Sequence, residues 1–346
     1  MAVDNGRSQM NKEENRDFIR KTESLVKPQD VTAISFLGDF NRILPKRIQR
    51  TIMVRGSRKI PYMGFIVDPY CFFLSYRIKD QAAAQAILPK GYELEQTSIF
   101  TNEQKHPLVV ISAFSVRTSA FIGMRLEFYV IARNTESGLL SWIIADYETN
   151  TNSHDPKNGF CGYTSDPSMF TTTPYGELLV DFRGRGTNKR FSVCADINGG
   201  KLQKLDKALW IEGNLSVDYG GELKDESSKN FSLIFDPVIM QTAINIPIKN
   251  VKIEENTYLN DIIDYDKPVS AAVFPFSQHF VIKQDIKSKE LMNETDLYHQ
   301  IRTFLNETGF KTMSGSDIKK PLIAGFFFTF LVNLGLILFL IIKLLS

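Results

Sequence analysis

Histidine and cysteine are the side chains that most often bind metal ions or act as nucleophiles, and this sequence contains few of either. Its 346 residues include four histidines and three cysteines. The histidines are scattered and match no His-Glu-x-x-His or similar metal spacing. The cysteines Cys71, Cys161 and Cys194 form no Cys-x-x-Cys pair. We therefore expect no metal site, and because no Walker loop or Gly-x-Gly-x-x-Gly follows a strand, we expect no cofactor.

The balance of charge argues against a nucleic-acid partner. The chain has 41 Lys and Arg against 39 Asp and Glu, a formal net charge of +2. Such a balance excludes binding driven by bulk positive charge. The sequence Arg-Gly-Arg-Gly at residues 183–186 occurs once, between two predicted strands, which favours a basic hairpin turn over an RNA-binding repeat.

Several segments follow one another in an order that a known family shares. Residues 62–95, YMGFIVDPYCFFLSYRIKDQAAAQAILPKGYELE, contain two aromatic strands, a short helix and a Leu-Pro pair. Residues 114–132 contain a strand pair with Arg125-Leu126-Glu127, and residues 138–147 contain a Gly followed by an aromatic strand. Residues 236–265 begin with Asp-Pro and contain Ile-Pro-Ile. Over about residues 62–281 this pattern resembles the acetoacetate decarboxylase family.

The resemblance implies a closed, cone-shaped β-barrel around a small pocket, with decarboxylation through a lysine Schiff base. The family's Trp-Gly-Phe-Pro-Lys-Lys segment best matches residues 158–163, which leaves Gly162 and Tyr163 where its paired lysines stand. The arginine of its first motif falls on Asp68. The usual Schiff-base lysine is therefore missing from this match.

Two residues remain as catalytic candidates under the resemblance. Glu127 takes the place of the family's acidic residue; a pocket would raise its pKa, whereas a paired surface position is the alternative. Lys157 belongs to a Pro-Lys pair four residues before Cys161, and a register shift would bring it to the barrel mouth. An exposed loop position is the alternative for Lys157, since turn-forming residues surround it.

We expect the barrel to be retained and to bind or process a small, largely apolar or keto-acid-like molecule. The residues expected to bind it are Asp68, Tyr70, Phe72, Phe160 and Tyr163, which combine apolar walls with polar tips. Two alternatives stay open. The first is an active decarboxylase or related carbon–carbon lyase that uses Lys157, and the second is a structural or assembly subunit of a membrane complex. A homo-oligomer is also open.

The elements that must position these residues are mainly strands. Runs rich in β-branched and aromatic residues predict strands over residues 108–114, 126–132, 139–147, 177–182, 190–196, 208–219 and 230–235. One early helix is predicted over residues 79–88, because Ala-rich sequence follows Asp80 and ends before Pro89. So many strands with so few helices predict a mainly β fold, a closed antiparallel barrel or sandwich.

The chain divides into five predicted parts. Residues 1–30 are polar and predict a flexible arm with at most one short helix. Residues 31–285 form the β domain, and residues 286–310 place Leu297, Ile301 and Phe304 on one helical face. Residues 311–320 predict a linker.

Residues 321–343 predict a transmembrane helix. Residues 321–342 carry no charge, and as a helix they span about 33 Å, which matches a bilayer core. Because four residues follow residue 342 and no signal sequence begins the chain, we expect a tail anchor. Lysines at 311, 319 and 320 against Lys343 place the main domain in the cytosol by the positive-inside rule, at a membrane that the sequence does not name.

Overall fold

The computed structural model describes residues 9–38, 44–53, 62–283, 290–308 and 315–345. Its helices are α1 Lys12–Ser24, α2 Pro28–Gly38, α3 Lys46–Met53, α4 Gln81–Ile87, α5 Gly213–Leu215, α6 Glu294–Asn306 and α7 Gly315–Leu345. Its first ten strands are β1 Tyr62–Val67, β2 Cys71–Arg77, β3 Tyr92–Leu94, β4 Gln96–Thr97, β5 His106–Thr118, β6 Ile122–Asn134, β7 Leu140–Thr149, β8 Ser153–Asp155, β9 Gly159–Cys161 and β10 Ser165–Thr172. The others are β11 Glu177–Gly184, β12 Arg190–Asp196, β13 Lys201–Lys204, β14 Val217–Tyr219, β15 Leu233–Ile234, β16 Thr242–Asn245, β17 Val251–Asn256, β18 Pro268–Phe274 and β19 Gln278–Lys283.

A 13-stranded sheet forms the body of the domain, which confirms the prediction of a mainly β fold. Its path runs β13-β16-β18-β2-β5-β1-β19-β15, and a branch leads from β5 through β6 and β7 to β14. The pairs between β1, β2, β5, β6 and β7 are antiparallel. The long strands β5 and β6 fall where the sequence predicts strands, and they are longer than predicted at both ends.

The expected closed barrel is not formed by the strand ladders of the described residues. The branch ends at β14 and the main path ends at β15. One isolated antiparallel bridge joins Val217 of β14 to Phe231, two residues before β15. Because β15 has only two residues, no continuous ladder can form there, and the sheet stays open at this edge.

The main sheet separates two groups of buried side chains, because successive residues of a strand point to opposite faces. On the outer face, Phe128 of β6 stacks on Tyr258, with ring centroids 4.2 Å apart. A second sheet, in the order β10-β11-β12-β17, covers that face with Val180, Phe182 and other buried residues. On the inner face lie Trp142, Trp210 and most of the other aromatic residues of the domain.

The region predicted as a strand over residues 208–219 is mostly helical, so that prediction is wrong for its first part. A π-helical turn, Ala208–Glu212, leads into α5, and only Val217–Tyr219 is a strand. The Asp206 carboxylate accepts hydrogen bonds from the backbone N–H of Ala208 and Leu209, at 3.1 and 3.2 Å. This capping of the free N–H groups starts a helix despite β-branched and aromatic residues. The predicted helix over residues 79–88 is present as α4, capped by Asp80.

The helices α1 and α6 pack together on the inner-face side. Phe18 of α1 is 1% exposed and meets Phe304 of α6 with ring centroids 5.9 Å apart. Lys21 donates hydrogen bonds to the carbonyl oxygens of Leu305 and Glu307, at 2.9 and 2.7 Å. The short helix predicted in the first 30 residues therefore exists, and it lies against the domain.

The last helix, α7, is the one described helix that is long and apolar enough to span a membrane. Its apolar stretch, Ile323–Leu345, has 23 residues and a mean hydropathy of 2.5. None of that stretch is buried within the protein. α7 begins at Gly315, so part of the predicted linker is helical, while residues 311–314 lie outside the described residues.

Candidate functional site

One face of β6 carries three polar side chains into the interior of the domain. Arg125, Glu127 and Tyr129 alternate with Leu126 and Phe128, so the period of two places the polar residues on the inner face. All three line an internal cavity of about 140 Å³. Buried positions are normally apolar, so the charged pair that β6 carries on its inner face is unusual.

The walls of this cavity are mainly apolar and aromatic. Strands β1, β2, β5, β7 and β19 and the π-helical turn supply the largest rings: Phe65, Phe73, Phe114, Trp142, Trp210 and Phe280. Phe73 and Trp210 meet edge to face, with centroids 4.8 Å apart. An apolar cavity with a few polar groups is the usual form of a small-molecule site.

The charged pair in the cavity is buried and hydrogen-bonded. Arg125 and Glu127 are 4% and 6% exposed. The Glu127 carboxylate accepts hydrogen bonds from the Arg125 Nε–H and from the Tyr129 hydroxyl. Burial, and then the Glu127 charge, raises the pKa of Tyr129 well above its usual value. Tyr129 therefore stays protonated and donates to the carboxylate.

Arg125 keeps donors that no protein group uses. Its Nε–H bonds Glu127, and the Tyr147 ring centroid lies 4.4 Å from the centre of its guanidinium. Among the described residues, no acceptor bonds its two terminal NH2 groups. Burial is the largest single influence on Arg125 and opposes its charge, but Glu127, Tyr219 and Tyr147 together raise the pKa of the guanidinium. A permanent cation with unused donors thus borders an apolar cavity.

A second hydrogen-bonded group holds Tyr147 in place behind Arg125. The Tyr147 hydroxyl donates to the Asp155 carboxylate at 3.2 Å and accepts from the Ser153 hydroxyl at 2.9 Å. Both partners belong to β8, which pairs with β9 as a separate two-stranded hairpin. The hairpin therefore fixes the ring that covers one side of the Arg125 guanidinium.

Four other titratable or hydroxyl side chains line the cavity: Cys71, Ser112, His154 and Tyr219. Burial lowers the pKa of His154 to about 4, so its ring is neutral near pH 7. Burial raises the pKa of Tyr219, whose hydroxyl donates to the His154 carbonyl oxygen at 3.2 Å. The Ser112 hydroxyl lies beside Cys71 and has no nitrogen or oxygen partner within the described part of the chain. Burial raises the pKa of the Cys71 thiol, which disfavours a thiolate nucleophile there.

Of the two predicted catalytic residues, the structure places Glu127 at the cavity and Lys157 away from it. Lys157 is exposed in the turn between β8 and β9 and does not line the cavity. The Asp155 carboxylate accepts from the backbone N–H of Asn158 at 2.6 Å, and Gly159 has a φ of +75°. This tight turn points its central residues outward. No described lysine lines the cavity.

The expected ligand-binding residues at the start of the domain also lie outside the cavity lining. Asp68 forms an ion pair with Arg117 at 3.1 Å and accepts from the Ser115 hydroxyl at 3.0 Å. Tyr70 has a φ of 70° and is 39% exposed. Phe72 is buried on the outer face of the sheet, because it is one residue out of phase with Phe73.

Phe160 and Tyr163 follow the lining residue His154 closely in the sequence, but neither of them lines the cavity. Phe160 is buried against the His154 ring, with centroids 5.7 Å apart. Its backbone N–H donates to the Gln49 side chain at 2.7 Å. Tyr163 is 46% exposed, and the centre of the Arg185 guanidinium lies 4.4 Å from its ring. Both predicted roles remain untested.

The residues that sequence reasoning missed are the partners of Glu127 and the aromatic walls. Arg125 and Tyr129 share a face with Glu127, so the alternation of β6 could have found them. Trp142 and Trp210 carried no such signal, because their approach depends on how β7 and the π-helical turn pack. Among the described residues, no group of three His, Cys, Asp or Glu side chains could hold a metal ion.

No protein-family model and no curated protein matches this chain. Among solved structures, the 1.60 Å crystal structure of acetoacetate decarboxylase from Legionella pneumophila subsp. pneumophila is similar. The TM-score is 0.42 and the sequence identity 14%, over 67% of this chain and 90% of that chain. That solved structure is of the enzyme after which the family resembled by the sequence is named.

Proposed function

We propose that this chain is a membrane-attached domain that binds a small, neutral, largely apolar molecule carrying one oxygen that accepts hydrogen bonds. The observation that carries this proposal is the buried Arg125, which lines an apolar cavity and whose terminal NH2 groups have no acceptor among the described residues. An unused buried donor is unfavourable, so a ligand oxygen there replaces a lost hydrogen bond.

The size of the cavity limits the ligand. An apolar protein cavity of about 150 Å³ accommodates one benzene molecule. The cavity of about 140 Å³ is nearly the same size, so a rigid ligand has about six to eight non-hydrogen atoms. A long acyl chain does not fit this volume.

The charges around the cavity favour a neutral ligand. Arg125 and Glu127 compensate each other, and His154 is neutral near pH 7 because burial lowers its pKa to about 4. Tyr129 and Tyr219 are also uncharged, because burial raises the pKa of each hydroxyl. A charged ligand would add an uncompensated charge in an apolar environment, which is costly. A ketone, ester or amide oxygen suits this site better than a carboxylate.

The same arrangement would also suit processing of a bound carbonyl compound by proton transfer. Arg125 would polarise the carbonyl group, and the Glu127 carboxylate lies beside it. Schiff-base chemistry has no support in the cavity, because no lysine is found among its described lining residues.

The proposed membrane attachment relies on α7. Its 23-residue apolar stretch spans about 35 Å as a helix, close to the thickness of a bilayer core, and is exposed along its whole length. We expect the full chain to stay in membranes after carbonate extraction and a chain ending before residue 315 to be released. With the domain in the cytosol, protease added outside intact organelles should digest it; protection would contradict this orientation.

Tryptophan fluorescence offers a test of ligand binding. The chain has two tryptophans, Trp142 and Trp210, and both line the cavity. Cyclohexanone and methylenecyclohexane have the same shape and seven non-hydrogen atoms, but only the ketone has an oxygen. We expect both to change the fluorescence saturably and the ketone to bind about ten to a hundred times more tightly, as for a hydrogen bond from a charged donor.

The matched variant removes the charges and keeps the shape. In Arg125→Met/Glu127→Gln no unpaired charge is left in the interior, so the fold should persist. This variant should bind the two probes with more nearly equal affinities than the natural protein does, because the charged donor to the oxygen is gone. Equal affinities already in the natural protein, or a signal that rises linearly like that of free tryptophan, would contradict the proposal.

A further inference from the structure

The inner face of the main sheet continues beyond the cavity to a second pocket of different character. Along β2, Phe73 lines the cavity, whereas Ser75 and Arg77, the next two residues on that face, line a pocket of about 210 Å³. Along β5, Ser112 lines the cavity and His106 lines the second pocket. The two sets of lining residues have no member in common. The same sheet face therefore forms two separate sites.

The second pocket contains a buried hydroxyl without a partner. Ser98 is 2% exposed, lines the pocket, and its Oγ has no hydrogen-bond partner among the described residues. A buried hydroxyl is normally hydrogen-bonded, so this unpartnered group marks the buried end of the pocket as a place that lacks a polar partner. It is the same kind of signal that Ser112 gives in the cavity.

The charged side chains of the pocket differ in how many hydrogen bonds they already form with other groups of the protein. The Glu103 carboxylate accepts from the Ser270 hydroxyl at 2.7 Å and from the backbone N–H of Phe100 at 3.0 Å. Arg77 has no acceptor within the described ranges. Partial burial, and then the positive charge of Arg77, lower the pKa of the His106 imidazole. The groups left for a ligand are therefore donors, on Arg77 and on Ser98.

We propose that this second pocket binds a small oxyanion, a carboxylate or phosphate group, held by the Arg77 guanidinium and by the Ser98 hydroxyl. Arginine has only donors, in a planar fork that fits two oxygens of such a group. The Ser98 hydroxyl supplies a further donor from the buried end. The volume of about 210 Å³ leaves room for the rest of a small polar molecule. This site does not depend on the apolar cavity or on its ligand.

The imidazole of His106 reports on the site directly. The chain has four histidines, so the full chain, labelled with ¹³C at histidine and held in detergent, gives few ring signals to assign. We would titrate it with inorganic phosphate and with acetate, using chloride at the same ionic strength as the reference. We expect a saturable shift of the His106 ring signal with an oxyanion and no such shift at His154, which lines the other site.

The two oxyanions distinguish the source of the group. Tighter binding of phosphate would assign the pocket to phosphorylated molecules, and tighter binding of acetate would assign it to carboxylic acids. If neither anion shifts His106 more than chloride does, the proposal is overturned.

Two variants test the named donors, and a third serves as a control. Arg77→Gln should weaken binding of the better anion about tenfold to a hundredfold, as expected for a charged donor. Arg183→Gln is the matched control, because that exposed arginine pairs with Asp181 on the second sheet. Ser98→Ala should weaken binding about twofold to tenfold without lowering the melting temperature, since no protein hydrogen bond is lost.

For each of the two donor variants, one result would contradict the proposal. An equal shift of His106 in Arg77→Gln and in the natural protein would overturn the role of the arginine. Unchanged affinity in Ser98→Ala would overturn the role of the hydroxyl. The His154 signal serves as the check that each variant remains folded.

Discussion

Two arginines of neighbouring strands meet carboxylates in this domain, one at the rim and one in the interior. At the rim, the Arg117 side chain is 34% exposed; its Nε–H bonds Asp68 and both terminal NH2 groups bond Glu23, at 3.1 to 3.3 Å. In the interior, the Arg125 side chain is 5% exposed and bonds Glu127 through Nε alone. The rim arginine is fully used by the protein, and the interior arginine is not.

This difference separates a structural role from a binding role. Glu23 belongs to α1 and Arg117 to β5, so the rim pair fastens a helix to the sheet. Both interior residues belong to β6, so their pair fastens no second element. An ion pair within one strand adds little to the fold, yet it holds a donor at the cavity. This difference supports the proposal that Arg125 binds a ligand, whereas Arg117 contributes to stability.

The largest expected effect on stability comes from removing one partner of the buried Arg125–Glu127 pair. Arg125→Met leaves the Glu127 carboxylate buried without its cation, which costs about 3 to 5 kcal/mol of the free energy of unfolding. Arg125→Met/Glu127→Gln should recover most of that loss. Urea denaturation measures both values, and a double variant as unstable as the single one would contradict this account.

A smaller loss of stability is expected at the rim. Arg117→Met removes half-exposed ion pairs, which are worth about 1 kcal/mol or less. Because α1 loses one of its contacts with the domain, its amide hydrogens should exchange faster, while those of β6 should not change. Hydrogen exchange followed by mass spectrometry makes this comparison. Faster exchange throughout β6 would mean that the rim pair supports the interior as well.

The rim pair should also make stability depend on pH. Burial alone would raise the pKa of Glu23, but hydrogen bonds from Arg117 and His279 bring it below its ordinary value of 4.5. A carboxyl whose pKa is lowered by folding stabilises the protein above its unfolded pKa and loses that contribution as pH falls through the folded value. The stability difference between the natural protein and Glu23→Gln should therefore be constant near neutral pH and shrink below about pH 4.5. A difference that grows in acid would contradict this reasoning.

No measurable effect is expected from Lys157. Its side chain is exposed in the turn between β8 and β9, so Lys157→Ala should change the free energy of unfolding by about 0.5 kcal/mol or less. The variant should also bind cyclohexanone as the natural protein does. Treatment with a keto acid and borohydride reduces any lysine imine to a stable adduct. Such an adduct in the natural protein, absent from Lys157→Ala, would instead support the lyase alternative.

The sequence predicted the strands better than their closure. The runs of β-branched and aromatic residues in β5, β6 and β12 carry their own signal, because such residues favour strands. Closure depends on the edge at β15, where only two residues pair, and no local pattern reports such a short ladder. The capping of residues 208 and 209 by Asp206 likewise starts a helix where the mixed sequence Ala-Leu-Trp-Ile-Glu does not decide between helix and strand.

The sequence also indicated only some of the residues that line the cavity, because it shows which residues share a strand face but not how strands and turns pack. Glu127 lies on the cavity, and the alternation around it contained Arg125 and Tyr129 as well. Phe72 lies on the outer face, one residue out of phase with Phe73, and a pattern match does not show which face of the sheet a residue occupies. The position of Lys157 depended on a hairpin turn that only the pairing of β8 with β9 defines.

The most direct test of the central claim is to locate a bound molecule in a crystal structure. A brominated cyclohexanone has about eight non-hydrogen atoms, within the range expected for the cavity, and bromine can be placed by its anomalous scattering. We predict bromine density among Trp142, Trp210 and Phe73, with the ketone oxygen within hydrogen-bond distance of the Arg125 terminal NH2 groups. Bromine only at the protein surface, with side chains filling the cavity, would contradict the account.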